Sequence, residues 1–235
     1  MKLAPNLYRI GNDIVAAYLV DTPDGITLID AGLPGHWHDL QKVLETLGKS
    51  PSDIQGLILT HGDSDHIGFA ERLRRDHDVP VFVHAADAHR TRTGEKPKVS
   101  TGPMRLRATI GFFVYSLRKN GLRTKYVREV TEIHDGDVLE LPGKPRIIGM
   151  PGHSPGSVAV HIPSVDAVFV GDALTTRHVL TGAAGPQPAP FTDDPKLALE
   201  SVGRLADLPE SWVLPGHGTP WHGSPADAAE AVQAH

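Results

Sequence analysis

The sequence predicts a mixed α/β or α+β domain with two sheets, and three observations predict it. Short β-rich runs separated by turn signals form tight meanders towards both ends of the chain. Between them lie segments whose apolar residues recur at helical spacing. Four apolar runs each lead into a His or Asp, which places polar chemistry at the ends of strands. No internal repeat and no linker is visible, so residues 1–235 read as one domain.

The elements follow in order. Leu7–Ile10, Ile14–Val20 and Ile26–Asp30 read as strands, separated by Gly11-Asn12-Asp13 and Thr22-Pro23-Asp24-Gly25. Leu40–Leu47 has apolar residues at 40, 43, 44 and 47 and stops at Gly48, the pattern of a helix with a glycine at its end. Gly56–Thr60 reads as a short strand, Phe69–Arg75 as a helix and Val79–Val83 as a strand. Residues 91–103 read as loop. Met104–Leu117 reads as a helix, with 106, 110, 113 and 117 on one face that should dock on the body. Val138–Leu141, Arg146–Met150, Val158–Ile162 and Val168–Gly171 read as strands, and Leu174–Phe191 as a long loop. Pro195–Leu205 is a helix with Pro in its first turn; Trp212–Leu214 and Pro225–Val232 complete the chain as strand and helix.

Composition narrows the chemistry. Hydrophobic residues make up 40% and charged residues 22%, the balance of a chain with a packed core. There is no apolar run long enough to span a membrane, and Met1–Tyr8 lacks the apolar core of a secretory signal. There is no cysteine, which excludes disulfides, iron–sulfur clusters and thiolate metal sites, and a cytoplasmic location is expected. Any metal must be held by carboxylates and by some of the 14 His. The charge is uneven. Residues 90–128 hold eleven Lys/Arg against the single acid Glu95, and the remainder holds 12 bases against 27 acids. A basic, partly helical insertion at about 90–128 is therefore expected, as a cationic rim over the site or as an interface.

The candidate site residues sit at the strand ends. Leu57–Thr60 runs into His61-Gly62-Asp63-Ser64-Asp65-His66. Ile147–Met150 runs into Pro151-Gly152-His153, Val168–Gly171 into Asp172, and Val213–Gly216 into His217. Four donors within six residues cannot share one helix face, but on a loop they can surround ions. Imidazole with carboxylate suits zinc, iron or manganese. The remaining histidines lack this setting and read as solvated or hydrogen-bonded. His178 is the exception: it follows Asp172 by six residues in the long loop and reads as a substrate contact.

The order Thr60-His61-x-x-x-Asp65-His66, Gly152-His153-Ser154-Pro155-Gly156, Gly171-Asp172 and Pro215-Gly216-His217-Gly218 resembles the metallo-β-lactamase superfamily. The stretch Ile26–Gly35 resembles its glyoxalase II-like and lactonase-like branches. The resemblance spans about Leu7 to His222 and implies a four-layer αβ/βα sandwich with a metal pair between the sheets. It implies that His61 and His153 belong to a first metal and Asp65, His66 and His217 to a second, with Asp172 bridging. It implies a structural role for Asp30. It further implies a metal-dependent hydrolase in which a metal-bound hydroxide attacks an ester, lactone, thioester, amide or phosphodiester, with Asp65 as the catalytic residue that holds the water. Two zinc ions per chain are expected. The family usually has His where this chain has Asp63; a carboxylate at that position admits iron or manganese and leaves occupancy of the first site open. The rival reading is a mononuclear non-haem iron enzyme similar to persulfide dioxygenases, using His61, His153 and Asp172. A metal-binding protein without catalysis is a third reading. The expected partner is a small-molecule substrate, anionic if the basic segment faces it. A homodimer is admitted, and no nucleic acid is expected.

Overall fold

The computed structural model describes residues 1–99 and 102–235, so Ser100 and Thr101 of the expected 91–103 loop lie outside the described residues. The chain opens with β1 (Lys2–Ala4), β2 (Leu7–Gly11), β3 (Ala16–Thr22), β4 (Gly25–Ile29) and α1 (Trp37–Leu47). It continues through β5 (Ile54–Ile58), α2 (Ala70–His77), β6 (Val81–His84), α3 (Ala88–Thr93), α4 (Leu106–Arg118) and β7 (Thr131–Ile133). The second half comprises β8 (Arg146–Gly149), β9 (Val158–Ile162), β10 (Ala167–Gly171), β11 (Thr175–Arg177), β12 (Ala184–Gln187), α5 (Pro195–Val202), β13 (Trp212–Pro215), β14 (Trp221–His222) and α6 (Pro225–Gln233).

Strand alternation builds the layers. Successive side chains of a strand point to opposite faces, so one strand can feed two cores. In β3, Ala17 and Leu19 join a cluster with Leu40 and Leu44 of α1 and Leu73 of α2. Ala16, Tyr18 and Val20 of the same strand join a second cluster with Val160 of β9 and Phe169 of β10. In β10, Val168 and Val170 turn away into a third cluster with Val202 of α5 and Ala228 and Val232 of α6. Three apolar interfaces separate four layers: helices, sheet, sheet, helices. The middle interface is pinned by Tyr18 and Phe169, whose rings lie 5.4 Å apart across the sheets. Phe169 is fully buried, so its truncation to Ala would cost about 3–5 kcal/mol.

The first sheet runs in the order β1 to β7, antiparallel up to β4 and parallel from β4 to β7. The second runs β14-β13-β10-β9-β8. In it β10 pairs parallel with β13, while β8 and β9 alternate antiparallel, so β8, β10 and β13 point the same way. Their C-terminal ends therefore share one edge, which is where His153, Asp172 and His217 follow. The third sheet is the ribbon β11-β12.

Several expected elements differ. Val138–Leu141 holds only an isolated bridge to Arg146, because Pro142 lacks an N–H and Leu141 is drawn into a turn that accepts from Lys144 N at 2.9 Å. The expected loop 174–191 contains the β11-β12 ribbon, and α3 occupies residues expected as loop from 91. The Pro195 helix ends at Val202 and tightens into a 3-10 turn at 203–205.

The main correction concerns α4. The face expected to dock is not buried: Leu106 is 77% exposed and Ile110 52%, while Phe113 and Leu117, each 55% exposed, wall an open cleft. Polar bonds select the opposite face. Tyr115 Oη lies 2.7 Å from His36 Nε2, and Thr109 Oγ1 donates to Leu180 O at 3.1 Å. Lys119 just past the helix pairs with Asp39 at 2.6 Å. Periodicity reports that a helix has an apolar stripe; it does not report which stripe the body has partners for. No described helix is long and apolar enough to cross a membrane.

Candidate metal centre

Two glycines let the strand ends converge. Gly171 ends β10 at φ +51, a left-handed turn, and a Cβ there would meet Thr60 Oγ1 at 2.2 Å. At Gly216 a Cβ would meet His66 Cε1 at 2.4 Å and Asp172 Oδ1 at 2.7 Å. Any side chain at 216 would fill the space into which His66 and Asp172 reach.

His61, His66, His153, Asp172 and His217 are all buried, and Asp63 is 7% exposed. Each imidazole is held by one nitrogen. His66 Nδ1 donates to Asp30 Oδ2 at 2.8 Å, and His217 Nδ1 donates to the Ile14 carbonyl. His61 Nδ1 lies 3.1 Å from Thr60 Oγ1, whose own proton goes to Asp30. His153 Nδ1 lies 3.2 Å from Thr192 Oγ1, whose proton goes to Ala189 O. Each threonine oxygen is thus free to accept, and each Nδ1 is the protonated nitrogen. The Nε2 lone pairs point inward. His61 Nε2, His66 Nε2, His153 Nε2 and Asp172 Oδ1 are buried with no hydrogen-bond partner. Buried polar atoms left unpaired at this density are costly unless a cation completes them, so the donor set fits a metal.

The donors form overlapping groups within 4.8 Å: His61, Asp63 and His153; Asp65, His66 and His217; and His61, His66 and Asp172. Asp172 touches both sides, with Oδ2 3.7 Å from His153 Nε2 and 3.2 Å from His217 Nε2. Its Oδ1 lies 3.5 Å from His66 Nε2. Asp65 Oδ2 is 3.6 Å from His217 Nε2. The seven residues expected as ligands therefore come together.

The electrostatics describe a site built for positive charge. Burial disfavours a charged His66, yet the Asp30 and Asp172 carboxylates outweigh it and raise its pKa to about 10. Burial also opposes a charged His217, and Asp172 raises it. Burial opposes ionisation of Asp172, but His217 and His66 hold its carboxyl well below the usual range. His61 is pushed well down by burial and by His66 and His153. A cation at the inward nitrogens, whether proton or metal, is what the carboxylates stabilise.

Two features escaped the sequence, and a third, at Asp30, was expected. Asp63 Oδ1 accepts from Arg90 Nε at 2.6 Å, and its Oδ2 accepts from Lys96 Nζ at 2.8 Å. Asp87, fully buried, accepts from Gly62 N, Ser154 Oγ and Gly156 N at 2.7–2.8 Å, lashing the two motif loops together. Asp30, in a left-handed conformation at φ +61, accepts from Thr60 N at 2.8 Å as well as from His66. A lone Asp between apolar residues carries no local mark of such a role; only Asp30, at a strand end before Ala31-Gly32, had one.

The donors open onto a cleft of about 330 Å³ walled by Leu33, Phe112, Phe113, Leu117, Val179 and Phe191. Among the described residues Lys96 is the one Lys or Arg lining it, so the wall supplied by the described part of the 90–128 segment is mainly apolar, not the cationic rim expected. The arginines at 105 and 107 are exposed on the outer surface instead. His178 holds a turn: its Nδ1 accepts from Leu180 N at 3.3 Å and Thr181 N at 3.2 Å, and its neighbour Val179 lines the cleft in its place.

The family model of the metallo-beta-lactamase superfamily matches residues 10–217. The chain is similar to a Bacillus subtilis (strain 168) protein named probable metallo-hydrolase YflN, 29% identical over 235 residues, covering 94% of this chain and 87% of that one. Among solved structures it resembles the metallo-beta-lactamase family protein TTHA1429 from Thermus thermophilus, with TM-score 0.73 and 24% identity, covering 100% of this chain and 80% of that one. It also resembles TTHA1623 in a di-iron-bound form, with TM-score 0.61 and 29% identity, covering 92% and 93%.

Proposed function

The chain belongs to the metallo-β-lactamase superfamily, and from that premise we propose that it is a metal-dependent hydrolase of esters, lactones, thioesters or amides that carry an apolar arm. The observation that carries this reading is the set of three buried, unpaired histidine Nε2 atoms around the unpaired Asp172 Oδ1. His61, Asp63 and His153 would hold one ion, Asp65, His66 and His217 another, with Asp172 between them. Zinc is the first expectation; the hard carboxylate of Asp63 admits iron or manganese, and the relative TTHA1623 has been obtained with two irons. When bound, such ions polarise a scissile carbonyl and lower the pKa of a coordinated water.

The chain's own groups supply the rest. Asp65 lies at the cleft and keeps one carboxylate oxygen towards His217, so its other oxygen takes the proton of the attacking water. Phe112, Leu117 and Phe191 exclude bulk water and receive the apolar arm. Lys96 is placed to meet an anionic group on the substrate. Phosphodiesters remain the rival substrate class, with an apolar wall against them. Nothing in the geometry favours the one-iron oxidoreductase, since Asp65, His66 and His217 converge as a complete second group.

The test is hydrolysis of a panel by metal-loaded protein: p-nitrophenyl acetate and octanoate, a γ-lactone, an acyl thioester and bis(p-nitrophenyl) phosphate. Turnover of at least one acyl compound, lost with chelator and restored with zinc, iron or manganese, is expected. Metal binding without turnover of any of them would reduce the protein to a metal binder. Turnover of the phosphodiester alone would reverse the choice of substrate class.

A further inference from the structure

Asp63 serves two parties at once. Its Oδ2 is the oxygen that faces the first donor group, 3.7 Å from His153 Nε2. The same oxygen accepts from Lys96 Nζ at 2.8 Å, while Oδ1 is taken by Arg90 Nε. The two cations differ in freedom. The Arg90 side chain is 5% exposed, and its rigid fork also reaches Asp193 at 2.7 Å. Its departure would strand the buried Asp63 carboxylate and the part-buried one of Asp193. Lys96 lies beyond the end of α3, after Gly94 at φ +75, and its side chain is 38% exposed on a flexible four-carbon stem. The second donor group has no counterpart: among the described residues, no Lys or Arg forms an ion pair with Asp65 or Asp172.

We propose that Lys96 is a displaceable internal cation that occupies Asp63 in the metal-free protein and makes the first donor group bind a divalent ion more weakly than the Asp65–His66–His217 group. One carboxylate oxygen cannot accept from an ammonium at 2.8 Å and also face a divalent ion without placing like charges at close range. On the Asp63 and His153 side, both buried, little water is present to screen them. Entry of an ion into the first group therefore requires Lys96 to swing away into the cleft it already lines. Arg90 stays, fixes Oδ1 and so keeps Oδ2 aimed at the site. The two groups fill in sequence, and at limiting metal the singly loaded protein predominates. This inference rests on the metal-site part of the reading above and not on hydrolysis.

The experiment is a titration of metal-stripped protein with Zn²⁺ against a chromophoric chelator. Wild type should show two separated steps, the tighter removed by His217→Ala and the weaker by His153→Ala. Lys96→Met should tighten the weaker step by about tenfold or more and leave the tighter one unchanged. Lys96→Arg, which keeps the charge, should leave the weaker step weak. Two equal steps in wild type, a Lys96→Met curve superimposable on wild type, or a shift of both steps together would overturn the proposal. Failure to bind any zinc would overturn the metal centre with it. Two Lys96-dependent steps in a protein that hydrolyses nothing would support this inference and remove only the hydrolase.

Discussion

Asp30→Asn isolates the part of the site that orients His66. Asparagine tolerates the left-handed conformation at φ +61, so the exchange adds no strain of the kind Ala would bring, about 1–2 kcal/mol. The amide keeps one acceptor oxygen for Thr60 N and, at 3.1 Å, for its hydroxyl on the Oδ1 side, and loses the shorter 2.8 Å bond from that hydroxyl to Oδ2. On the other side an NH2 replaces the oxygen that accepts from His66 Nδ1 at 2.8 Å. Two donors then face each other in a site where Asp30 is 2% exposed. His66 can escape only by moving its proton to Nε2, the nitrogen that must stay free for metal. One buried, charge-assisted bond lost costs about 1–3 kcal/mol of stability, and loss of such an orienting partner costs about 10–100-fold in metal affinity. Thermal melts of the metal-free protein measure the first, and zinc competition against a chelator measures the second. Wild-type zinc affinity in Asp30→Asn would refute the claim that Asp30 sets the His66 tautomer.

Other expectations follow from the same geometry. His36 is fully buried, accepts from Leu33 N at 3.0 Å and holds Tyr115 of α4, and burial together with Lys119 lowers its pKa to about 4. A depressed folded pKa gives stability that is complete above about 6.5 and is lost as pH falls through about 4. Hydrogen-exchange protection across α4, taken relative to the intrinsic rate at each pH, should therefore fall over that window in wild type; protection that does not change with pH would contradict the His36 anchor. Asp87→Ala leaves the buried Gly62 N and Gly156 N without an acceptor and the Ser154 hydroxyl with only Ser157 Oγ, and should destabilise by about 2–5 kcal/mol, with Asp87→Asn milder; denaturant melts within about 1 kcal/mol of wild type would count against the lashing role. Arg105→Gln with Arg107→Gln should leave KM for an anionic acyl ester within about twofold of wild type, because these side chains lie on the exposed outer surface; a large rise would restore the cationic rim.

The sequence by itself determined the two-sheet class and the metal-type residues, and only the family resemblance supplied the four layers. The first two are written locally. His61, Asp172 and His217 follow closely on the apolar runs that carry them to the sheet edge, whereas Ala16–Val20 is apolar throughout, so its division between two interfaces is read only from the packing. What the tertiary structure alone decided depends on residues brought together across long stretches of chain. Arg90 and Lys96 reach Asp63 over 27 and 33 positions, and Asp87 reaches Gly156 over 69. His217 is aimed by the Ile14 carbonyl 203 positions away. The docked face of α4 was beyond reach for the same reason. An apolar stripe at 106, 110, 113 and 117 favours burial on average, but three polar anchors on the opposite side set the rotation of the helix. Hydrogen-bond partners are matched one to one in space, whereas hydrophobic periodicity is an average over a face, and only the averaged quantity is legible along a single chain.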